Sequence, residues 1–435
     1  RLVVTNVCPH CFRDVGLKKR IIGIRPDFPD EKCHFHPRYK GVPAAEVAKI
    51  VDPIFRSQYG WGDYNSYIGE QQGDPLDYLV GDLTLAEDDL VSKTVSEALI
   101  EDEVCWPQDG EEPFYADDQN YVRHDQVIDR HGKLWETFVR SILHDQRFFN
   151  ARARELIAEI FDGLQYQRDN AKRSPIYRIE PGTPEATFFR ARQANSDGDI
   201  DRIQKNPHKE LGPPPERLRR PGRMNPAGIG CFYGAYELST CVAELRPMVG
   251  SRVIGAKFEL TRPIYVLDTT RFEAPMKPSS VFSKGYLERF RQWSFMNTFA
   301  QEIARPISLN DEHLDYIPTQ AVAEYFLHHH SFKRDGQPAK IEGIIFQSAQ
   351  LPPNKNIVLL GDAAKVDEPA PFKNKRPPLD ADSFSDAFLS VLERIHSYNP
   401  ALSLSPDTVR VLRVTSAHFT SDTISGRSAI HPSEY

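Results

Sequence analysis

Five polar or aromatic side chains between residues 187 and 364 are of types that could together bind and break a nucleotide. They are Arg190 in FFRAR, Arg223 in PGRMN, Tyr233 in CFYGA, Glu244 in VAEL and Ser348 in GIIFQSA. A planar guanidinium binds phosphate oxygens at two points, an aromatic ring stacks on a flat cation, and a carboxylate stabilises developing positive charge. Each residue alone has an ordinary surface or packing interpretation. Only the set indicates a site that breaks a nucleotide.

A second group of candidate ligands lies in the first forty residues. Cys8 and Cys11 form a C-x2-C pair in VCPHCF, and Cys33 and His36 form a C-x2-H pair in KCHFHP. Two ligands on each of two tight turns suit tetrahedral zinc, and a metal can replace a core that so short a segment cannot build. With four protein ligands, the zinc would be structural. Two unrelated cysteine-containing turns are the alternative interpretation.

The remaining cysteines and histidines have other interpretations. His10 and His34 are rival ligands for the same metal, because they lie in the same two motifs. Consecutive histidines on a helix point in different directions, so the run at 328–330 indicates a helix C-terminus rather than a metal site. Three further cysteines are expected to be reduced packing residues: Cys105, Cys231 and Cys241.

Composition and missing motifs exclude several classes of protein. The net charge of −7 argues against binding nucleic acid by bulk electrostatics. No apolar run approaches the ~20 residues of a membrane helix, and no secretion signal is evident, although a removed leader stays open because the chain starts at Arg1. Six cysteines are too few for a disulfide framework, which favours a cytoplasmic setting. The P-loop and nucleophile-elbow motifs are missing, and the glycines at 228, 230 and 234 do not fit the dinucleotide spacing.

The elements that must position these residues change in character near residue 180. Before it, apolar spacing predicts a helix in AAEVAKIVDPIF that Pro53 stops, an acidic helix in LAEDDLVSKTVSEALIEDE, and a longest helix from Leu134 to Leu164. After it, the predicted strands are SRVIGAKFEL, PIYVLD, GIIFQS, NIVLL and TVRVLRV. The predicted helices there are GYLERFRQWSFMNTFAQEIA, PTQAVAEYFLHHH and DADSFSDAFLSVLERI. Without a regular βαβ repeat, this order predicts an α+β fold.

From about Thr187 to Ala364 the sequence resembles the RES-domain toxins. The resemblance rests on FFRAR, PGRMN, the spacing from Tyr233 to Glu244, YIPTQAV and a closing G-x-x-x-x-S-A. It implies an ADP-ribosyltransferase-like mixed-sheet domain and destruction of NAD by hydrolysis or phosphorolysis. A departure is Met224, which stands where an aromatic residue is common in the family.

The resemblance also implies roles for the candidate residues. Arg190 and Arg223 would bind the pyrophosphate of NAD, and Tyr233 would stack on nicotinamide. Glu244 would contact the ribose and stabilise its oxocarbenium character, and Ser348 would position the ribose or the nicotinamide amide. Two further residues, in PGRMN and in YIPTQAV, complete the implied NAD-binding set: Asn225 and Gln320. In some family members the site serine lies near YIPTQ, so Tyr316, Thr319 and Gln320 are alternatives to Ser348.

The predicted domains are a zinc knuckle over 1–40, a helical domain over 41–180 and a RES domain over 181–435, with its core at 187–364. The first two resemble the HEPN-type N-terminal domain fused to some RES domains. RSILH is one residue short of the R-x(4–6)-H pattern of HEPN ribonucleases, which favours sensing, scaffolding or self-inhibition over nuclease activity.

The function expected from these observations is an NAD-consuming toxin or defence effector, with NAD as substrate and zinc as a structural cofactor. An ADP-ribosyltransferase acting on a protein or nucleic acid is the alternative, and a zinc-bearing adaptor that only binds nucleotide is a third hypothesis. The expected partners are NAD and a restraining element, either the first 180 residues or a cognate antitoxin or activating partner. A homo-oligomer stays open, and neither a membrane nor a nucleic acid is expected as a partner.

Overall fold

A computed structural model describes residues 5–65, 69–103, 112–123, 130–305, 312–334, 336–367 and 399–416. The helices are α1 (Val15–Ile24), α2 (Ala44–Gln58), α3 (Leu76–Thr84), α4 (Asp89–Glu101), α5 (Arg130–Arg140), α6 (Ala151–Phe161), α7 (Asp197–Lys205), α8 (Pro207–Leu211), α9 (Leu238–Glu244), α10 (Tyr286–Ala304), α11 (Glu312–Asp315) and α12 (Ile317–His328).

The strands are β1 (Asn6–Val7), β2 (Val42–Pro43), β3 (Tyr59–Trp61), β4 (Tyr64–Asn65), β5 (Glu70–Gln71), β6 (Asp74–Pro75), β7 (Asn120–Arg123), β8 (Ile176–Ile179), β9 (Thr187–Ala194), β10 (Phe232–Ala235), β11 (Arg252–Leu260), β12 (Ile264–Asp268), β13 (Phe332–Arg334), β14 (Gln337–Ala339), β15 (Ile341–Gln347), β16 (Lys355–Leu359), β17 (Leu402–Leu404) and β18 (Arg410–Arg413).

The chain forms two compact units. The first comprises Arg1–Pro175 with Arg271–Phe299, and the second comprises Ile176–Thr270 with Ala300–Tyr435. The first unit contains helices with short two- and three-stranded sheets. None of the described helices is long and apolar enough to cross a membrane.

Two helical predictions in the first unit are wrong. Pro53 does not stop α2, which continues to Gln58. A proline removes one hydrogen bond from a helix interior, and burial of Ile54 and Phe55 beyond it keeps the helix on its core. The helix predicted from Leu134 to Leu164 is two helices, because α5 ends in a π-helical turn over Ser141–Asp145 and α6 starts afresh.

The start of α6 has a local cause that apolar spacing does not show. The Oδ1 atom of Asn150 accepts a hydrogen bond from the backbone N–H of Ala153 at 2.8 Å, which caps the new helix. Phe149 just before it has a φ of +55°, a conformation incompatible with a continuous right-handed helix. The break is therefore encoded by the cap and the turn rather than by the apolar pattern.

The second unit contains, among the described residues, a nine-stranded sheet in the order β17-β11-β9-β10-β16-β15-β12-β8, with β18 also paired to β11. β12 and β15 run parallel, and the other strand pairs are antiparallel. The five predicted strands are present, so the prediction of a mixed sheet in a chain of helices and strands is confirmed. The predicted helix DADSFSDAFLSVLERI and Cys105 lie outside the described residues.

Helix α9 packs on the sheet at a glycine. A Cβ atom at Gly255 on β11 would lie 2.3 Å from Leu238 Cδ1, so the side chain of the first residue of α9 occupies the space next to this glycine. α9 follows directly on β10, and β10 lies between β9 and β16 in the sheet. This packing fixes where the C-terminal residue of α9, Glu244, lies relative to the sheet.

Candidate active site and metal centre

The carboxylate of Glu244 is fixed through one of its two oxygens. Its Oε1 atom accepts hydrogen bonds from Ser348 Oγ at 2.6 Å and from Asn356 Nδ2 at 2.7 Å. No hydrogen bond to Oε2 occurs within the described residues, and Glu244 is exposed. The arrangement therefore offers a ligand one oxygen of a carboxylate whose other oxygen is held by two donors.

Ser348 lies behind this carboxylate. It is 1% exposed, and its Oγ accepts hydrogen bonds from the backbone N–H groups of Gln350 at 3.3 Å and Leu351 at 3.1 Å. Those two donors orient the hydroxyl, so that its own proton points to Glu244. The structure thus brings Ser348 and Glu244 together, with the serine in contact with the acid.

Arg223 supplies a cation near the same carboxylate. Its Nη2 donates to the carbonyl of Arg305 at 2.8 Å, and its guanidinium lies 5.3 Å from the ring centroid of Tyr316. Burial lowers the pKa of Arg223, while the negative charge of Glu244 acts in the opposite direction. The guanidinium therefore lies within electrostatic range of the carboxylate.

The first turn of α12 holds the backbone of the loop that carries Arg223. Thr319 Oγ1 donates to the Arg223 carbonyl at 2.5 Å, and Gln320 Nε2 donates to the Gly222 carbonyl at 2.8 Å. Gln320, a predicted NAD-binding residue, thus uses its side-chain N–H group to bind the backbone of the loop. Its contact with a ligand stays a prediction.

Tyr233 and Asn225 are joined to each other inside this loop. The Tyr233 hydroxyl donates to Asn225 Oδ1 at 2.7 Å and accepts from the backbone N–H of Met224 at 2.9 Å. Burial raises the pKa of Tyr233, so it remains a neutral phenol. The Asn225 amide nitrogen donates to three carbonyls, those of Arg220, Pro226 and Ile229. The polar ends of both residues hold the loop, and only the half-buried ring of Tyr233 is left for a ligand.

Arg190 stands where two strands of the sheet separate. β9 and β10 share one paired position, Phe189 with Ala235, and Arg190 is the next residue on β9. Its guanidinium lies 5.1 Å from the ring centroid of Phe232, and its buried Nη1 atom has no hydrogen-bond partner among the described residues. Burial lowers the pKa of Arg190 to about 10. No hydrogen bond joins it to the other predicted site residues within that part of the chain, although Tyr233 acts on its charge.

Two cysteines border the same region and are unreactive. Cys241 Sγ donates to the Phe189 carbonyl at 2.9 Å. Burial raises the pKa of Cys231 and of Cys241 to about 12, so both are neutral thiols at physiological pH. Both are free and buried, which confirms the prediction that they are reduced packing residues.

Asn356 contacts the candidate carboxylate and has no motif in the sequence. It lies in NIVLL, on β16, directly opposite Ala235 of β10 and next to α9. An apolar run that starts with one amide predicts only a strand. The amide could have drawn attention, because a buried polar side chain needs a partner.

The four predicted metal ligands converge in the first unit. Cys11 Sγ lies 3.9 Å from Cys8 Sγ and 3.5 Å from Cys33 Sγ, and His36 Nδ1 lies 3.4–4.0 Å from the three sulfurs. Tetrahedral zinc with bonds of ~2.0–2.3 Å requires ligand atoms roughly 3.5–3.8 Å apart. The donor set Cys3His therefore fits a metal ion.

The rival ligands lie elsewhere. His34 Nδ1 accepts the backbone N–H of Asn6 at 2.8 Å, and the His10 ring packs 4.1 Å from that of Tyr39. Within the described ranges, the Cys3His group is the one cluster of three or more side chains placed to hold a metal. α12 ends at His328, as predicted for a helix C-terminus.

The sheet and the fixed carboxylate make the second unit a candidate enzyme domain, and one family model matches a part of the chain that includes most of the site residues. Residues 199–382 match the family model described as RES domain, which supports the resemblance to a family associated with NAD-related toxin function. The match includes Arg223, Tyr233, Glu244 and Ser348 and begins after Arg190. No curated protein and no solved structure gives a match. The HEPN-type domain and the ADP-ribosyltransferase-like fold stay predictions.

Proposed function

We propose that this chain breaks the bond between nicotinamide and ribose in NAD. The observation that carries the proposal is the Glu244 carboxylate, held through Oε1 by two donors and open at Oε2. A cation that develops at a sugar carbon is stabilised best by a negative charge that does not need to reorganise.

The chemistry makes few demands beyond this charge. The C1′–N1 bond breaks with its electron pair going to nicotinamide, which leaves as a neutral molecule and needs no general acid. Glu244 stabilises the oxocarbenium character at C1′ and contacts the ribose hydroxyls. Water or inorganic phosphate then adds to C1′, giving ADP-ribose or its 1″-phosphate, and water loses a proton in that step.

The remaining residues bind and orient NAD. Arg223 and Arg190 contact the pyrophosphate oxygens, and the ring of Tyr233 stacks on the nicotinamide. Ser348 acts through Glu244, because its hydroxyl donates to that carboxylate. Asn225 and Gln320 hold the loop of Arg223 through hydrogen bonds to its backbone. They contact NAD through the donors and acceptors that these bonds do not use.

The Cys3His cluster is proposed to hold a structural zinc ion. All four tetrahedral positions are filled by protein ligands, so no position is left for a substrate. Hydrogen bonding to Cys11 lowers the pKa of Cys8 to about 5, whereas the same contact raises the pKa of Cys11. The hydrogen bond thus favours a thiolate at Cys8 and a protonated thiol at Cys11. A bound cation would stabilise the thiolate form of all three cysteines. Residues 1–180 are proposed to restrain the activity or to recruit the partner that does.

The test is release of nicotinamide by the purified chain from NAD alone. Wild type is expected to release it, and Glu244→Gln, which keeps the shape but removes the charge, is expected to reduce the rate by about 10²–10³. Glu237→Gln is the matched control, because it removes a carboxylate at the other end of α9. Release that requires an added protein or RNA would contradict the proposal and indicate a transferase. Titration with phosphate separates hydrolysis from phosphorolysis, since only the second depends on it.

A further inference from the structure

The short segment over residues 354–356, where β16 begins, holds both ends of helix α9. Asn356 Nδ2 donates to Glu244 Oε1 at the last residue of α9. Two residues earlier, Asn354 Nδ2 donates to Thr240 Oγ1 at 2.8 Å and to Glu237 Oε2 at 2.9 Å, at the beginning of the helix. The helix is seven residues long, so these contacts fix both its position and its terminal carboxylate.

The Asn356 contact has a consequence that the Ser348 contact alone does not have. The terminal torsion of a glutamate is broad, so a carboxylate with one donor can turn about that bond. Ser348 follows β15 and Asn356 lies on β16, so the two donors come from separate backbone segments. Together they hold Oε1 in place and leave Oε2 pointing in one direction.

The fold does not itself require this bond. Glu244 is exposed, and water could solvate its carboxylate. Asn356 is 6% exposed, and burial of an amide is unfavourable unless it is hydrogen-bonded. An apolar side chain would serve the strand better at this position. A buried amide whose donor is directed to an exposed carboxylate is explained by what it does to that carboxylate.

We propose that Asn356 is a positioning residue for the reaction, acting through Glu244 by fixing the direction of Oε2. The inference rests on the proposed cleavage of NAD. Because Asn356 is buried and its amide donates to Glu244, we expect it to act behind the carboxylate, so its loss should affect turnover and leave binding intact. A hydrogen bond between an amide and a charged carboxylate makes the expected loss in kcat about 10- to 100-fold.

The experiment compares Asn356→Ala with Asn354→Ala, its matched control. Both remove an amide that contacts α9, buried in Asn356 and half-buried in Asn354, but only Asn356 contacts the carboxylate of Glu244. Asn356→Ala is expected to lower kcat while the Kd for NAD changes by less than ~3-fold. Asn354→Ala is expected to lower the melting temperature by a similar amount with a much smaller loss in kcat. Added to Glu244→Ala, Asn356→Ala should give no further loss, because its target is gone.

Asn356→Asp is the isosteric variant, in case the alanine variant fails to fold. At neutral pH it replaces the donor by a second carboxylate beside Oε1, so turnover should fall at least as far as in Asn356→Ala. As the pH falls, the two carboxyl groups can share a proton, which restores a donor to Glu244. The activity of the variant relative to wild type should therefore recover as the pH falls.

Three results would overturn the inference while the proposed function stands. They are a kcat of Asn356→Ala within about 2-fold of wild type, an equal loss in Asn354→Ala, and a full additional loss on top of Glu244→Ala. Absence of nicotinamide release by the wild-type chain would instead refute the proposed function, and this inference with it.

Discussion

The buried guanidinium of Arg190 gives a prediction in which stability and binding move in opposite directions. Its Nη1 atom is buried without a partner in the described part of the chain, and burial lowers its pKa to about 10. At ~1.4 kcal/mol for each tenfold change in the acid constant, this corresponds to roughly 3 kcal/mol against the charged form. Replacing Arg190 by Met would remove this unfavourable contribution and increase the free energy of unfolding. The same change would lose the contact with Phe232, which offsets about 0.5–1 kcal/mol of that increase. Because Arg190 is partly exposed as a whole residue, the expected net gain for Arg190→Met is about 1–2 kcal/mol.

The assay is unfolding by heat and denaturant, with and without NAD. For a domain of this size, the gain should raise the melting temperature by roughly 2–8 °C. The pH dependence follows from the depressed pKa of a base. The unfavourable contribution is complete below about pH 10, where Arg190 is charged in both folded and unfolded chains, and is relieved as the pH rises above that value. The difference between variant and wild type should therefore be constant from pH 6 to 9.

Arg190→Met should weaken the binding of NAD, although it raises the stability of the free chain. In a Glu244→Gln background, in which turnover is expected to be slow, NAD at a hundred times its Kd should stabilise the chain by about 2.7 kcal/mol. The additional Arg190→Met change should abolish most of that gain. Arg178→Met is the control, because Arg178 is an exposed residue that pairs with Glu180 at 3.0 Å, and it should change neither quantity. An Arg190→Met chain that is less stable than wild type by 1 kcal/mol or more would refute the reasoning.

Further predictions follow from the loop and the metal cluster. Tyr233→Phe leaves Asn225 Oδ1 and the Met224 N–H without their partner, so the free energy of unfolding should fall by ~1–3 kcal/mol. The KM for NAD should rise by a larger factor than kcat falls. A rise in the free energy of unfolding in chemical denaturation would contradict this prediction. The chain should contain one zinc ion by elemental analysis, and Cys11→Ser should lose it together with the thermal stability of the first unit, whereas Cys231→Ser should retain it. Full zinc content in Cys11→Ser would show that Cys11 is not a ligand.

The sequence predicts the elements of the second unit better than their arrangement. Apolar alternation locates β11, β12, β15 and β16, because each strand has a buried face. It does not show that β10 lies between β9 and β16, since strand order depends on contacts between residues far apart in sequence. The errors in the first unit, at Pro53 and in the segment from Leu134 to Leu164, have the same origin. The local pattern does not show that burial in the core compensates for the hydrogen bond missing at Pro53. It also does not show that Asn150 caps a new helix within the apolar repeat.

The candidate site was predictable in residue type and only partly in role. Asn225 and Tyr233 belong to motifs that indicate ligand binding, yet their polar ends are used by the loop itself. Spacing cannot distinguish the two uses, because the residue that holds a binding loop is as fixed in position as the residue that binds. Asn356 was missed for the opposite reason, since one amide in an apolar strand has no motif.

The distribution of satisfied and unsatisfied polar atoms supports a ligand with charges of both signs. Within the described residues, the amide of Asn225 has partners on both its oxygen and its nitrogen. Arg190 Nη1 is buried without a partner, and the hydrogen bonds of the exposed Glu244 carboxylate all go to Oε1. An acceptor left open favours a cationic group, and a buried donor left open favours an anionic one. NAD carries both, a pyridinium at the scissile ribose and a pyrophosphate beyond it, whereas ADP-ribose carries only the anion and nicotinamide riboside only the cation. In the proposed reaction, cleavage would convert the pyridinium to neutral nicotinamide and remove its attraction to Glu244, so the arrangement expected to favour bond breaking would also favour release of nicotinamide.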